Sequence, residues 1–415
     1  MAQLADDCFA APDGVLSVEA AAALIAGQVP VVAGTEMVGL ARADGRIAAA
    51  DVVAGTALPP FDNSAVDGYA VRFADLDPGG PTRLPVAARL AAGAAPTGLT
   101  PGTACRIFTG APMPSGADTV FMQEDVRLAD GMVTLPPGLA PGANRRSAGE
   151  DLPAGAVAVP AGRRLRPVDL ALAAAAGHAS LSVRRPLRVA VFSTGNELAE
   201  PGQPLAPGAI ADSNRFLLAA LLRRLGAAVS DLGIVRDDPA LLPGRLLAAA
   251  RDHDVVLTSG GVSVGEEDHV KAAVETVGRL TLWRVAIKPG RPLAVGRIGA
   301  AAFVGLPGNP VAAYVTLLVV VRPLLARLAG ETYLPPVPHV TRAAFRYAKK
   351  AGRREFLRVG LRRGEGGAIE SVREPAGGAA LAALAGSDGL ADLPEAATCI
   401  REGDPVAVYP HALLW

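Results

Sequence analysis

The stretch that most limits what this chain can fold into is Asp254–Lys271, which reads DVVLTSGGVSVGEEDHVK. Val255, Val256 and Leu257 form a short apolar run with no helical stripe and a turn signal behind it. That is the pattern of a strand buried on both faces of a parallel sheet. Thr258, Ser259, Gly260, Gly261, Ser263 and Gly265 follow, small residues that let backbone approach a ligand and take positive φ. Asp268 then opens a helical pattern, with Val270, Ala273, Val274 and Val277 at helix spacing. Strand, Gly/Ser loop and helix N-terminus in that order make an anion cradle of N–H groups at the positive end of a helix dipole. Glu266, Glu267 and Asp268 admit two readings: ordinary capping acids of a first turn, or carboxylates that share a divalent cation with phosphate oxygens. The Lys-Ser/Thr pair that closes a Walker loop is missing.

The alternation extends to both sides of this stretch. Strands are predicted over Arg188–Phe192, Ala228–Val235 and Ala302–Leu306, and helices over Asn214–Leu225, Leu241–Arg251 and Val311–Leu328. Such spacing implies a doubly wound parallel sheet. STGNE (Ser193–Glu197), RDD (Arg236–Asp238), the central loop and PGNP (Pro307–Pro310) all follow the carboxyl ends of strands, the edge at which open α/β sheets bind ligands. Thr281–Gly296, TLWRVAIKPGRPLAVG, adds Arg284, Lys288 and Arg291. Lysine is scarce in this chain, with four in 415 residues, so Lys288 stands out.

Outside that unit, Ser17–Ile25 reads as a helix capped by Ser17. Leu58–Arg72, LPPFDNSAVDGYAVR, packs Asp62, Asn63, Ser64, Asp67 and Tyr69 into a turn before a strand. Turn chemistry alone accounts for Asp67, and a ligand-contacting loop accounts for the group. From Pro78 to Val159 Gly and Pro recur every few residues without a long helix, as in a small inserted β-rich domain. Arg106–Glu124 there reads as a strand, a Gly/Pro loop and another strand. In Asn144–Gly155, Arg145 and Arg146 lie beside Glu150 and Asp151. These make either a solvated ion-pair cluster or a loop holding phosphate and metal together. Leu170–Ala176 reads as a helix. Strands at Thr341–Ala348, Phe356–Leu361 and Val406–Tyr409 predict a small β-barrel over Pro335–Trp415, with Gly386-Ser387-Asp388 as a turn.

Composition removes several function classes. Formal net charge is zero with no basic run, which argues against a nucleic-acid surface. Cys8, Cys105 and Cys399 are scattered without CxxC spacing, which supports neither a disulfide framework nor a structural zinc. The first ten residues lack the apolar core of a signal peptide. The apolar run Val311–Val321, stopped by Arg322-Pro323, is too short to span a bilayer. A soluble cytoplasmic protein with no membrane and no nucleic-acid partner is expected.

Eight motifs carry a resemblance over nearly the whole chain, in order: PPFDNSAVDGYAV, IFTGAPMPSGADTV, GED at Gly149–Asp151, VFSTGNEL, IVRDDP, SGGVSVGEEDHVK, AIKPGRPLAVG and GLPGNPVAA. Together they resemble the MoeA family of molybdopterin molybdenumtransferases, to which the gephyrin E domain is related. The resemblance implies the last step of molybdenum cofactor assembly. Adenylylated molybdopterin is bound, molybdate is inserted at the dithiolene, and AMP is released with a divalent cation, usually Mg2+. It implies a multidomain α/β fold: an N-terminal helix (1–35), a discontinuous linking domain (36–53 and 153–185), an inserted β-rich domain (54–152), a doubly wound MogA-like α/β domain (186–334) and a C-terminal small β-barrel (335–415). An elongated homodimer is implied, with its cleft between the α/β domain of one subunit and the inserted domain of the other. Transient contact with a molybdopterin adenylyltransferase also follows.

Carried over by motif, the catalytic acids are Asp67, Asp151, Glu197, Asp237 and Asp268, of which Glu197 and Asp268 are candidates for metal contact or water activation. Thr194, Gly195, Ser259, Gly260, Gly261 and Ser263 would line the substrate. Arg284, Lys288, Arg291, Arg358 and Ser387 match positions associated with molybdate or phosphate, and Pro307 and Pro310 shape the PGNP loop. Some relatives carry lysine where Arg284 and Arg291 stand, which keeps the charge and changes the geometry of oxyanion binding. Two rival readings are a molybdopterin adenylyltransferase, which resembles Arg188–Leu328 alone, and a scaffold that keeps the fold without the chemistry. The inserted domain speaks against the first, and the full set of acids and cations against the second.

Overall fold

The computed structural model describes residues 4–5, 7–11, 14–261, 269–290, 292–374 and 381–415. At its centre is a six-stranded sheet in the order Ala228–Val235, Arg188–Thr194, Val255–Ser259, Ala301–Leu306, Pro292–Ile298, Gly278–Arg284. The first four strands are parallel, as expected. Pro292–Ile298 then runs antiparallel to both its neighbours, because Gly299, at φ 58°, turns it directly into Ala301–Leu306. The sheet is therefore mixed at one edge.

Every residue of Val255–Ser259 and of Ala301–Leu306 is buried. Alternation along the strands divides their side chains between two cores. Val189, Val191, Val255 and Leu257 pack with Leu218, Leu222 and the Pro310–Ala329 helix on one face. Ala190, Phe192, Val256 and Phe303 pack with Leu246, Val270 and Val274 on the other. Helices on both faces are what hold the loops between them at one sheet edge.

The helix expected over Val311–Leu328 is found as Pro310–Ala329. Arg322-Pro323 does not stop it: the chain runs helical from Pro310 to Thr316, widens into a π turn at Leu317–Val321, and continues from Arg322 to Ala329. A proline removes one N–H and crowds the preceding turn, and a widened turn accommodates both. The 20-residue helix is long and apolar enough to cross a membrane, yet 78% of its apolar window is buried inside the fold, so it is a core helix here.

Thr35–Gly39 pairs with Ser180–Arg184 and Val52–Val53 with Val157–Val159, so the chain leaves for the insertion and returns side by side. Between them a second six-stranded sheet, ordered Thr119–Met122, Gly68–Val71, Ala104–Ile107, Thr82–Leu90, Met132–Leu135, Arg127–Ala129, stands without an α-helix among the described residues. At the C-terminus Arg354–Arg363, Ile369–Arg373, His339–Ala343, Pro405–Pro410 and Gly389–Leu393 pair in sequence, and the last closes on the first. This is a five-stranded barrel around Val359, Ala391, Val406 and Val408. One short strand crosses units. Ile287–Lys288, from the α/β segment, pairs with Arg354-Glu355 of the barrel.

Candidate active site

Four parallel strands end in loops on one edge, and hydrogen bonds tie those loops together. Gly260 N–H donates to the Leu306 carbonyl at 3.1 Å. The Ser259 hydroxyl donates to the Pro307 carbonyl at 3.2 Å. Asn214, buried at the start of its helix, reaches both with one amide nitrogen: 2.7 Å to Ser259 Oγ and 2.7 Å to the Gly308 carbonyl. Asn309 caps the following helix, accepting from the Val311 and Ala312 N–H groups at 3.0 and 3.1 Å, with Pro310 at the first turn. The central and PGNP loops are thus locked to each other.

Backbone conformation decides the residue at Gly260. Its φ is +91°, and a Cβ there would stand 2.6 Å from the Thr194 carbonyl oxygen. Only glycine lets the STGNE and TSGG loops lie this close. Thr194 Oγ1 is buried beside them with no hydrogen-bond partner among the described residues. At Gly195 the Glu197 carboxylate folds back over the α-carbon, 2.5 Å from where a Cβ would be. Arg215, 5% exposed, anchors the rest of this loop. It bonds Asp212 at 2.9 Å, Asp231 at 2.6 Å and Glu200 at 2.6 Å, and its charged form is favoured by all three despite burial. Asp237 lies half-buried just past the end of Ala228–Val235.

A second group lies at the barrel junction. Lys288, Pro289, Val311, Tyr347, Glu355, Arg358, Arg373 and Glu374 are among the residues lining a cleft of about 290 Å³. Val311 and Pro289 join it to the first group, since Val311 opens the PGNP helix and Gly290 packs against Ala312 and Thr316 of that helix. Lys288 Nζ lies 3.1 Å from Glu355 Oε2. Partial burial works against the ammonium, and Glu355 and Tyr347 outweigh it, so Lys288 titrates above an ordinary lysine. Arg358 is pushed the other way, by desolvation first and then by the neighbouring charge of Arg373. A cleft that crowds cations in this way favours an anion.

The third group is in the inserted β-rich unit. Asp67 Oδ1 accepts from both the N–H and the hydroxyl of Thr109, each at 2.8 Å, and these bonds hold its carboxyl below the usual range. Asp62 accepts from the Ala148 N–H at 2.8 Å and faces Arg145 at 3.5 Å. The exposed Asp151 follows, its N–H bonded to the Leu58 carbonyl. Among the described residues no hydrogen bond or ion pair joins this group to the sheet edge or to the barrel cleft.

The sequence-derived site residues therefore fall into three places. Thr194, Gly195, Glu197, Asp237, Ser259, Gly260, Gly261, Pro307 and Pro310 share the sheet edge, Lys288 and Arg358 share the cleft, and Asp67 and Asp151 share the inserted unit. Ser263, Asp268 and Arg291 lie outside the described residues. Arg284 is exposed and Ser387 buried, and neither is among the cleft's lining residues. The Ser387 hydroxyl donates to the Leu384 carbonyl at 2.8 Å and contacts His411 Nε2 at 3.0 Å. Asn214, Thr109, Tyr347, Glu355 and Arg373 escaped the sequence reading. Only Thr109 had a signal, lying inside the IFTGAPMPSGADTV motif.

Among the described residues no group of three or more His, Cys, Asp and Glu is arranged so that it could hold a metal ion. Glu197 and Asp237 at the sheet edge are oxygen donors of the kind that a hard cation such as magnesium takes together with phosphate oxygens and water.

Sequence models of the MoeA N-terminal region (domain I and II), a probable molybdopterin binding domain and the MoeA C-terminal region (domain IV) match residues 16–177, 190–327 and 340–411. The chain is 43% identical over 359 residues to a molybdopterin molybdenumtransferase of Haemophilus influenzae, covering 86% of this chain and 88% of that one. It is 40% identical over 382 residues to molybdopterin molybdenumtransferase 2 of Mycobacterium tuberculosis, covering 89% and 93%. Two crystal structures of the molybdopterin biosynthesis MoeA protein from Pyrococcus horikoshii superpose with TM-scores of 0.76 and 0.80. Their identities are 33% and 28%, and they cover 96% and 95% of this chain and 99% and 100% of theirs.

Proposed function

The chain belongs to the MoeA family, and on that footing we propose that it is a molybdopterin molybdenumtransferase, inserting molybdate into adenylylated molybdopterin with release of AMP. The observation that carries this reading is the junction between two anion-favouring regions. The glycine- and hydroxyl-lined sheet edge, which suits a nucleotide and its phosphates, adjoins the Lys288–Arg358 cleft through the first turn of one helix. A phosphate bridge and an oxyanion are the two charged partners that this reaction brings together.

In this reading Thr194, Ser259 and the backbone around Gly195, Gly260 and Gly261 hold the adenylylated pterin, while Lys288 and Arg358 hold molybdate by charge-assisted hydrogen bonds. Glu197, and Asp268 by its motif, are the carboxylates proposed to hold Mg2+ against the phosphates or to take a proton from water, and Asp237 belongs to the same edge as Glu197. Magnesium, when bound, would neutralise charge on the pyrophosphate. Ser263 and Arg291 are assigned to the same substrates by their motifs alone. Arg284 and Ser387 take a role only if their side chains turn toward the ligand.

Asp67 and Asp151 lie apart from both regions in one subunit, and a homodimer supplies them. The inserted unit of the partner would bring its two acids over the sheet edge, in a chain divided into the N-terminal helix, the linking domain, the inserted domain, the α/β domain and the C-terminal barrel. A cytoplasmic setting and transient contact with a molybdopterin adenylyltransferase fit a substrate made one step earlier. The test is incubation of purified protein with adenylylated molybdopterin, magnesium and molybdate. Molybdate-dependent AMP release is expected, and synthesis of the adenylate from molybdopterin and ATP by this chain alone would overturn the assignment.

A further inference from the structure

Lys288 is one of the cations that line the cleft, and an ammonium on a four-carbon stem is a poorly aimed charge unless something fixes it. The fold fixes it twice. Lys288 and Glu355 face each other in strand register, where the α/β segment joins the barrel. Glu355 is 1% exposed, and its Oε2 takes both the Lys288 ammonium at 3.1 Å and the Tyr347 hydroxyl at 2.7 Å. Lys288 Nζ also reaches the Tyr347 hydroxyl oxygen at 3.3 Å, which closes a triangle of three polar groups. The Arg373 guanidinium lies 4.8 Å from the Tyr347 ring centroid and braces it from the cleft side. Two of the three ammonium N–H groups are thereby spoken for, leaving one for a ligand.

We propose that Tyr347 and Glu355 are positioning residues for molybdate binding: they hold Lys288 in one orientation in the cleft, with Arg373 bracing the Tyr347 ring. The inference rests on the reading of that cleft as the oxyanion site. Glu355 has two opposed effects on an anion. Its charge repels the anion, and its hydrogen bond aims the ammonium at it. A plain counter-ion would show only the first, so the sign of the response separates the two roles.

The experiment is calorimetric titration of the intact protein with molybdate, with steady-state AMP release measured alongside. Tyr347→Phe, which keeps the ring and every charge, is expected to weaken molybdate binding about fivefold, the worth of one modest hydrogen bond. Glu355→Gln is expected to weaken it about tenfold although it adds net positive charge. In both, the molybdate KM rises while kcat at saturating molybdate stays near that of the parent. Tighter binding by Glu355→Gln, or unchanged binding by Tyr347→Phe, would overturn the positioning role. No molybdate binding by the parent protein would instead overturn the oxyanion reading of the cleft, and the inference with it.

Discussion

At the carboxyl edge of the α/β sheet the loops turn on glycines and hydroxyls whose places are set by backbone; the barrel cleft is lined by long charged side chains that hold one another. Gly260 permits contact with the Thr194 carbonyl, and Asn214 bolts Ser259 to Gly308. Lys288, by contrast, depends on Glu355 from the neighbouring strand and on Tyr347 from another part of the barrel. The first construction is rigid and tolerates little substitution. The second is adjustable, and its parts change affinity more than fold. Under the proposed function, joining the two through one helix would let a single subunit carry a fixed nucleotide seat beside a tunable oxyanion seat.

Substitutions that attack each construction in turn should break this contrast if it is wrong. Gly260→Ala should have the largest effect. A methyl group 2.6 Å from a backbone oxygen, at φ +91°, forces the sheet edge apart and should cost about 3 kcal/mol, read as a lowered thermal midpoint. Asn214→Ala removes two buried hydrogen bonds and should cost about 2 kcal/mol in denaturant unfolding, with weaker AMP binding and unchanged molybdate binding. Lys288→Ala should raise the molybdate requirement about tenfold, equivalent to about 1.4 kcal/mol, while AMP binding is kept.

The smallest effect belongs to the inserted unit. Thr109→Val deletes one of two bonds to Asp67 and should move its carboxyl titration up toward the ordinary value, as followed by NMR. The sign follows from linkage. A carboxyl held low in the folded state contributes stability above its unfolded pKa, and that contribution fades as pH falls through the folded value. The variant should therefore lose a little stability at neutral pH, and the difference from the parent should vanish in acid.

The same contrast explains what could be read in the sequence. Loops at strand ends need glycine, proline and asparagine at fixed offsets, so STGNE, TSGG and PGNP announce themselves, and the strands that carry them were placed to within two residues. The antiparallel edge is not legible because Thr281–Gly296 is marked by its cations and given no element, and an apolar strand carries no mark of its direction. The helix through Pro323 is legible as Val311–Leu328, whereas the π turn at Leu317–Val321 leaves no local mark in the sequence. Lys288 was visible as a rare residue type. Glu355 and Tyr347 lie 67 and 59 residues further on in strands of ordinary alternation, and nothing local marks them. Ser387 matched by motif, but the fold turns its hydroxyl to Leu384 and His411.

The division of labour between sheet edge and cleft is tested most directly by titrating AMP and molybdate separately onto the parent protein, Asn214→Ala and Lys288→Ala. Two separable losses are expected, AMP affinity falling only in Asn214→Ala and molybdate affinity only in Lys288→Ala. If Lys288→Ala weakened AMP as much as molybdate, or left molybdate binding intact, the two regions would not be the two seats described.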